Sequence, residues 1–431
     1  NLKIIGPCRN QIEFNITCLD MIIPEDHLAR SIWAFVDAMD TNACYWEIKT
    51  FNWEPGRPTT CPKILLTLWL YSVLDGNISS RKLECLCKNH NAYKWIAGGA
   101  PINRTMLSDF RTKNPMIFED LLTSCLAVMY KEELISDEDF SQDGTRVKGS
   151  AGFNSYKTEE TLEKLKNEIK DYILSLTIDN YENKKRINLV RIANERLNRV
   201  EAALKTIKKE KEIKKENGKK NHNKVTQEDL DNVRASTVDP AIRKMKMGDG
   251  GFRLAYNIQF ATGLESRVIF GVDTVTHLDP GSSAKMIAIV SSRLSIIGMN
   301  SPKRWVGDSA YSSASDLNLV SDMFPDLYYY APPQVNKGQD PKKNKKTDTQ
   351  AIIQWREKID TKEANELYKK RCSTAEFSNA QVKNHGLKEF LVRGIEKVKS
   401  MSILHAISHN ILRCFDLRAK NKKQTIEPQT S

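Results

Sequence analysis

Three carboxylates set the chemical question: Asp143 in Phe140–Val147 (FSQDGTRV), Asp308 in Gly307-Asp308-Ser309, and Glu376 in Tyr368–Lys383 (YKKRCSTAEFSNAQVK). Each stands where a regular element is expected to meet a loop, and none has a basic residue beside it in sequence. Acidic oxygen donors suit a hard cation such as Mg²⁺. Two such ions a few ångströms apart activate an attacking oxygen and stabilise a leaving one in phosphoryl transfer. On a helix at about 100° per residue, the seven steps from Glu376 to Lys383 return to within about 20° of one face, roughly 10 Å apart along the axis. That is too far for an ordinary helix ion pair, which needs a separation of three or four residues. A carboxylate and an ammonium held unpaired on one face suit a site that takes a metal and a phosphate chain together. Tyr368 and Arg371 lie one turn apart, two turns upstream, on a neighbouring face. Taken singly, each feature has a plainer reading. Asp143 and Asp308 can be turn residues or caps, Asp143-Gly144 spells a turn, and the helix can be a solvated surface with scattered charges.

The elements that would position these groups follow from pattern and punctuation. Residues 1–137 read as all-helical. A helix opens at Pro24-Glu25-Asp26-His27 and runs to about Met39. Pro62 starts a helix to Leu74 with Gly76 closing it, and Asn77-Ile78-Ser79-Ser80 caps one from Arg81. Asn103–Lys113 and Met116–Glu133 are two more. The basic helices at Arg81–Lys88 and Arg104–Lys113 suit a DNA-binding module or a packing domain whose Arg and Lys snorkel to the surface. Residues 158–230 are Lys/Glu-rich with apolar residues at helical spacing, which predicts an inserted hairpin of two long charged helices. Its Lys-rich tip, Lys205–Lys224, would lie on DNA or in solvent.

Phe252–Ala261 and Arg267–Thr276 read as strands joined by a turn at Gly263. A helix at Ser282–Ile297, a strand at Arg304–Val306, a helix at Ser313–Met323 and a strand at Leu327–Ala331 follow. Pro332–Asp348 reads as a polar loop, so residues 332–360 form a loop insertion before the helix bearing Glu376. The sequence predicts a further amphipathic helix over Arg393–Arg418 and a disordered tail over 419–431. His405 and His409, four apart on that helix, have a metal-binding reading and a packing reading. Packing is favoured, because no acidic neighbour stands in register. The fold class is mixed α+β: a domain carrying the three carboxylates over 138–157 and 231–418, a helical N-terminal domain, and the hairpin insertion.

The chain has 431 residues, 40% hydrophobic and 28% charged, with a formal net charge of +12. That length supports two or three domains, and that charge points to a polyanionic partner. Nine cysteines at irregular spacing, with no C-x-x-C pair, argue against a disulfide framework and a structural zinc site and for a reducing, cytoplasmic compartment. Cys85, Cys87 and His90 are the nearest approach to a ligand cluster and lack the second pair of a closed zinc site. No apolar run reaches a membrane span of roughly 18 residues, and no secretory signal is recognisable. The chain starts at Asn1 without a methionine, which reads as a trimmed or incomplete frame.

The order strand (Asp143), helical insertion, strand, strand, helix, strand (Asp308), helix, strand, loop, helix (Glu376) resembles the DDE transposases of bacterial insertion sequences. Within these it resembles the group whose last acid lies in a Tyr/Arg/Glu/Lys signature helix. The resemblance spans nearly the whole chain. It includes Ile23–Arg30, Pro62–Leu66, Ser79–Glu84, Phe110-Arg111, Asp143-Gly144-Thr145, Tyr256-Asn257-x-Gln259, Gly307–Tyr311, Phe390–Gly394 and His409-Asn410. The signature helix matches at Tyr368, Arg371, Glu376 and Lys383. The resemblance implies an RNase H-like domain in which Asp143, Asp308 and Glu376 hold two Mg²⁺ or Mn²⁺ ions. It implies nicking at transposon terminal repeats and joining of the 3′-hydroxyls to target DNA. It also implies phosphate contacts from Tyr368, Arg371 and Lys383, no membrane, at least a homodimer on DNA, and a bacterial, nucleoid-associated setting. Two stretches depart from the family pattern: Asn379-Ala380 replaces Phe-Gly after the glutamate, and Arg146–Ala151 replaces a more Asn/Ala-like run. Two alternatives stand beside this one: a catalytically silent or domesticated DNA-binding derivative, and an RNase H-like nuclease that does not rejoin DNA.

Overall fold

The computed structural model describes residues 18–46, 59–113, 115–178, 184–220, 225–277, 279–334 and 340–426. Helices come first: α1 (Leu28–Ala38), α2 (Pro62–Leu74), α3 (Ser80–Asn89), α4 (Asn91–Ala97), α5 (Arg104–Thr112) and α6 (Met116–Lys131). Their starts obey local chemistry. Pro62 supplies a preset φ at the first turn of α2. Ser79 accepts from the Lys82 N–H and Asn103 from the Met106 N–H, so each caps its helix. The α4 helix, absent from the sequence reading, ends at Gly98, whose φ of +58° is the left-handed turn that glycine adopts without strain.

Next come β1 (Asp139–Lys148), β2 (Tyr156–Thr158), α7 (Glu159–Ile178), α8 (Lys184–Lys220), α9 (Gln227–Asp231), β3 (Arg234–Ser236) and β4 (Arg243–Lys246). They are followed by β5 (Phe252–Gly263), β6 (Ile269–Val275), α10 (Ser283–Ile297), β7 (Arg304–Val306), α11 (Ala314–Met323) and β8 (Tyr328–Tyr330). The chain closes with α12 (Gln350–Lys358), α13 (Lys362–Asn384) and α14 (Ile395–Ile426).

Strands β1, β5 and β6 form an antiparallel meander, with β4 pairing the first part of β5. On the other side of β1, β7 and then β8 run parallel to it, so the sheet is mixed. Phe140, from the middle of three of these strands, meets Phe270 edge-to-face at a centroid distance of 5.1 Å and Trp305 in a tilted contact at 5.8 Å.

The inserted hairpin forms as α7 against α8, around its own small core of Leu162, Ile169, Val200, Ala203, Leu204 and Ile207. Its Lys-rich stretch is at the base rather than the tip. The α8 helix has 37 residues against 20 in α7, so its second half returns past the start of its partner. There Lys211 meets Glu159 at 2.5 Å, Lys214 meets Asp229 at 3.5 Å and Glu210 pairs with Arg243. Residues 179–183 and 221–224 lie outside the described residues. Two further expectations are corrected. The 332–360 segment carries α12, which buries Ile352 and Trp355 and donates from Trp355 Nε1 to the Ala331 carbonyl at 2.8 Å. The final helix continues to Ile426 instead of giving way to a tail at 419, while 427–431 lie outside the described residues.

The α14 helix lies between the N-terminal helices and the sheet. Its middle is buried all round, from Met401 through Ile411, as a core helix is. Asn410 closes the open edge of β6 by accepting from the Ile269 N–H and donating to the Ile269 carbonyl, both at 2.8 Å. One continuous core runs from Ile23 to Cys414. Arg111, read as part of a basic helix, belongs to that core. It is 5% exposed, donates to the Ile78 carbonyl at 2.7 Å and stacks on Trp69. Among the described residues no helix is long and apolar enough to cross a membrane.

His405 and His409 are buried on α14, and His409 Nε2 donates to the Arg267 carbonyl at 2.9 Å. Burial holds both imidazoles neutral, pulling His405 down to about 3 and His409 to about 4. A histidine whose folded pKa is depressed binds protons more readily when unfolded. The associated stability is present above the ordinary value of 6.5 and is lost as the pH falls towards 4. One such group contributes a slope of up to about 1.4 kcal/mol per pH unit. His409→Gln is therefore expected to flatten the decline in urea-unfolding stability between about pH 6.5 and 4. A decline as steep as that of the native chain would show that His409 is not kept neutral.

Candidate active site

Strands β1 and β7 place two carboxylates side by side. Ser141 is level with Val306 in the parallel pairing, so Asp143 and Asp308, each two residues further on, leave the same end of adjacent strands on the same face. Asp308 caps the turn that follows β7, its Oδ1 accepting from the Ala310 N–H at 2.8 Å. Asp143 lies within β1, opposite Phe260. Its Asp-Gly pair is no turn. Gly144 is there because a Cβ would come within 2.1 Å of Asp279 Oδ1, 2.5 Å of Gln259 Nε2 and 2.9 Å of Asn257 Oδ1 on the opposite face.

The α13 helix packs across β1 with Leu367, Arg371, Thr374, Ala375, Ser378 and Val382 on its buried face. Arg371 Nη2 reaches Asp143 Oδ1 at 3.0 Å and Asp308 Oδ2 at 4.0 Å. The Tyr368 ring lies 5.6 Å from the Arg371 guanidinium carbon. Asn379 Nδ2 donates to Asp143 Oδ2 at 2.6 Å. Asn379 reads in the sequence as a departure from the family pattern, but here it is a partner of the first acid. Glu376 and Lys383 do share a face of α13, as the spacing predicts, but it is the exposed one. Among the described residues no hydrogen bond or ion pair joins Glu376 to either aspartate. The structure thus brings together Asp143, Asp308, Arg371 and Tyr368, and leaves Glu376 and Lys383 in solvent beside them.

Burial pushes the Asp143 carboxyl up to about 6, with Arg371 opposing and the charges of Asp308 and Asp279 adding to the rise. Burial also raises Asp308. Two hard oxygen donors that already share one cation, the guanidinium, fit a divalent ion in chemistry. Among the described residues no three acidic, imidazole or thiol side chains meet at one point. Cys85 and Cys87 are no alternative centre. Cys85 is exposed and burial pushes the Cys87 thiol up to about 12, away from the thiolate a zinc ligand must be.

Two comparisons bear on identity. Residues 335–415 match a family model described as a transposase DDE domain. Residues 17–113 match one described as a transposase domain, DUF772. Both matches are to transposase families and indicate an insertion-sequence DDE transposase. In this transposase the first match takes in α12, α13 with Arg371, Glu376 and Lys383, and most of α14, and the second takes in α1–α5. Asp143 and Asp308 lie between the two matches, so their place at the site rests on geometry. No curated protein and no solved structure matches the transposase significantly.

Several polar residues of the site are not singled out as such by the sequence. Asp279, Gln142 and Ser282 carry no signal by spacing. Asn257 and Gln259 do: two amides at i and i+2 inside an apolar strand must both face one side of the sheet, where buried amides need partners.

Proposed function

We propose that this transposase cleaves DNA at the ends of its element and joins the freed 3′-hydroxyls to target DNA. The catalytic body would be RNase H-like, with Asp143, Asp308 and Glu376 holding two Mg²⁺ or Mn²⁺ ions. The observation that carries this reading is the pair Asp143 and Asp308, level on adjacent parallel strands and sharing one guanidinium. The strand order supports it: an antiparallel three-strand meander followed by two strands added parallel to the first. So does the position of α13, which lays the helix of the third acid across the first strand.

The bound ions would supply charge for the attacking and leaving oxygens of phosphoryl transfer. The chain's own residues do the rest. Asn379 and the backbone of β1 fix the Asp143 carboxylate. Arg371 holds Asp143 and Asp308 converged, and on release becomes available to a DNA phosphate, while exposed Lys383, more than three turns further along α13, is available to another. Glu376 is one helix face away and joins the aspartates by a rotation of its side chain or of α13. Residues 1–137 would contribute DNA binding to the catalytic segments 138–157 and 231–418, with the transposase working as at least a dimer in the bacterial cytoplasm, at the nucleoid.

One observation favours a second reading. Asp143 is doubly held by Arg371 and Asn379 while Glu376 faces solvent, as suits a silent DNA-binding derivative. Incubating the full chain with DNA carrying the flanking terminal repeats and Mg²⁺ separates these. Nicks at the repeat ends together with joined products are the expected result. Nicks alone would indicate a nuclease, and binding without nicks the silent derivative.

A further inference from the structure

Asp279 lies in the connection from β6 to α10, and its side chain neither caps that helix nor forms an ion pair among the described residues. The start of α10 is served by another acid: Asp316 accepts from the N–H groups of Gly281 and Ser283 at 2.8 and 3.4 Å. Asp279 Oδ1 instead accepts from two buried amides, Asn257 Nδ2 at 2.9 Å and Gln259 Nε2 at 2.8 Å.

The direction of these bonds is imposed from the core. Trp305 Nε1 donates to Gln142 Oε1 at 3.3 Å, and Gln142 Nε2 donates to Gln259 Oε1 at 3.0 Å. The Tyr311 hydroxyl donates to the same Oε1 at 2.6 Å. With its oxygen occupied twice, Gln259 has only its NH₂ to offer, and that group faces Asp279. A buried chain of aligned donors therefore ends on one carboxylate oxygen without neutralising its charge. Beside it, Asn257 Oδ1 is buried with no partner, 2.9 Å from where a Gly144 Cβ would lie. Gly144 follows Asp143 directly, so this carboxylate and this orphan acceptor sit against the backbone of the first catalytic acid. Beyond burial, the Asp279 charge also helps to raise both Asp143 and Asp308.

We infer that Asp279, held by Asn257 and Gln259 against Gly144 on the far face of β1, is an outer carboxylate of the divalent-ion site whose charge strengthens ion binding by Asp143 and Asp308 across the strand. This rests on the ion-binding reading of Asp143 and Asp308 proposed above. It also accounts for the Tyr256-Asn257-x-Gln259 motif, in which Asn257 and Gln259 are positioning residues that act through Asp279.

The test is Mn²⁺ binding to the full chain, read as free Mn²⁺ by electron paramagnetic resonance, with thermal melting as a check of folding. Outer partners of a metal site cost about 10–100-fold in affinity when lost. Asp279→Asn is expected to weaken Mn²⁺ binding at least about tenfold with an unchanged melt, and Asp279→Glu to restore part of it. Gln259→Met, which removes the donor to Asp279 together with the acceptor for Gln142 and Tyr311, should give a smaller loss in the same direction. If Asp279→Asn titrates like the native chain while Asp143→Asn loses binding, the inference is overturned and the Asp143/Asp308 reading stands. If Asp143→Asn also titrates like the native chain, the ion-binding reading falls and this inference falls with it.

Discussion

Asp143→Asn and Asp308→Asn are each expected to abolish Mg²⁺-dependent cleavage at the element's ends, with loss well beyond the roughly 100-fold that removing an outer partner of a metal site brings. Folding should survive. The Asp143 carboxyl is already raised by burial, so a neutral amide removes a charge the fold holds at a cost. Its Oδ1 can still accept from Arg371, and Asp308→Asn keeps an acceptor for the Ala310 N–H. Binding to terminal-repeat DNA is therefore expected to persist in both. Glu376→Gln is expected to be as inactive, although its side chain is exposed and makes no contact with the aspartates. Cleavage retained by either aspartate variant would remove that residue from the ion site. Cleavage retained by Glu376→Gln alone would leave the two aspartates as the centre and remove the third acid from α13.

Glu119→Ala is expected to destabilise the protein by about 3–5 kcal/mol, the cost of leaving a buried charge without its partner. Arg293 on α10 is only 5% exposed and pairs with Glu119 on α6. The same guanidinium donates to Thr123 Oγ1 at 3.0 Å and to the Phe270 carbonyl of β6. Glu119 also takes Lys399 of α14 at 2.6 Å. One carboxylate therefore ties the N-terminal helices, the helix covering the sheet and the central helix. The double variant Glu119→Met with Arg293→Met should recover most of the loss, because a buried pair replaced by apolar residues of similar volume is often neutral. Urea midpoints decide the matter. A Glu119→Ala shift under about 1 kcal/mol would place the pair among those surface bridges that contribute little.

Much of this structure is legible in the sequence where one residue type has one job. Pro62, Ser79 and Asn103 mark helix starts by local chemistry, and the strand runs after Phe252 show in their β-branched and aromatic content. What fails is what depends on a distant partner. Gly144 looks like a turn residue until Asp279 is seen across the strand. Asn379 looks like the loss of a family residue, although it holds Asp143. Arg111 counts as basic surface by composition and packs on Trp69. Charge and periodicity predict the α7–α8 hairpin, but not which end of a run of lysines faces outward, since that follows from the unequal lengths of its helices. Strands β3 and β4, at three and four residues, are too short to show a period. The α12 helix hides in a Lys-rich stretch because two buried side chains, Ile352 and Trp355, carry its packing.

The helix α14, buried on every side through its middle, makes the N-terminal helices and the catalytic sheet parts of one core. If those helices hold the DNA end, as proposed, it would be held by the same core that carries Asp143 and Asp308. The number of base pairs between the held sequence and the broken phosphate would then be a dimension of the protein, fixed as on a ruler. Where the transposase cuts would be measured from its foothold, with no need to read the bases at the cut itself.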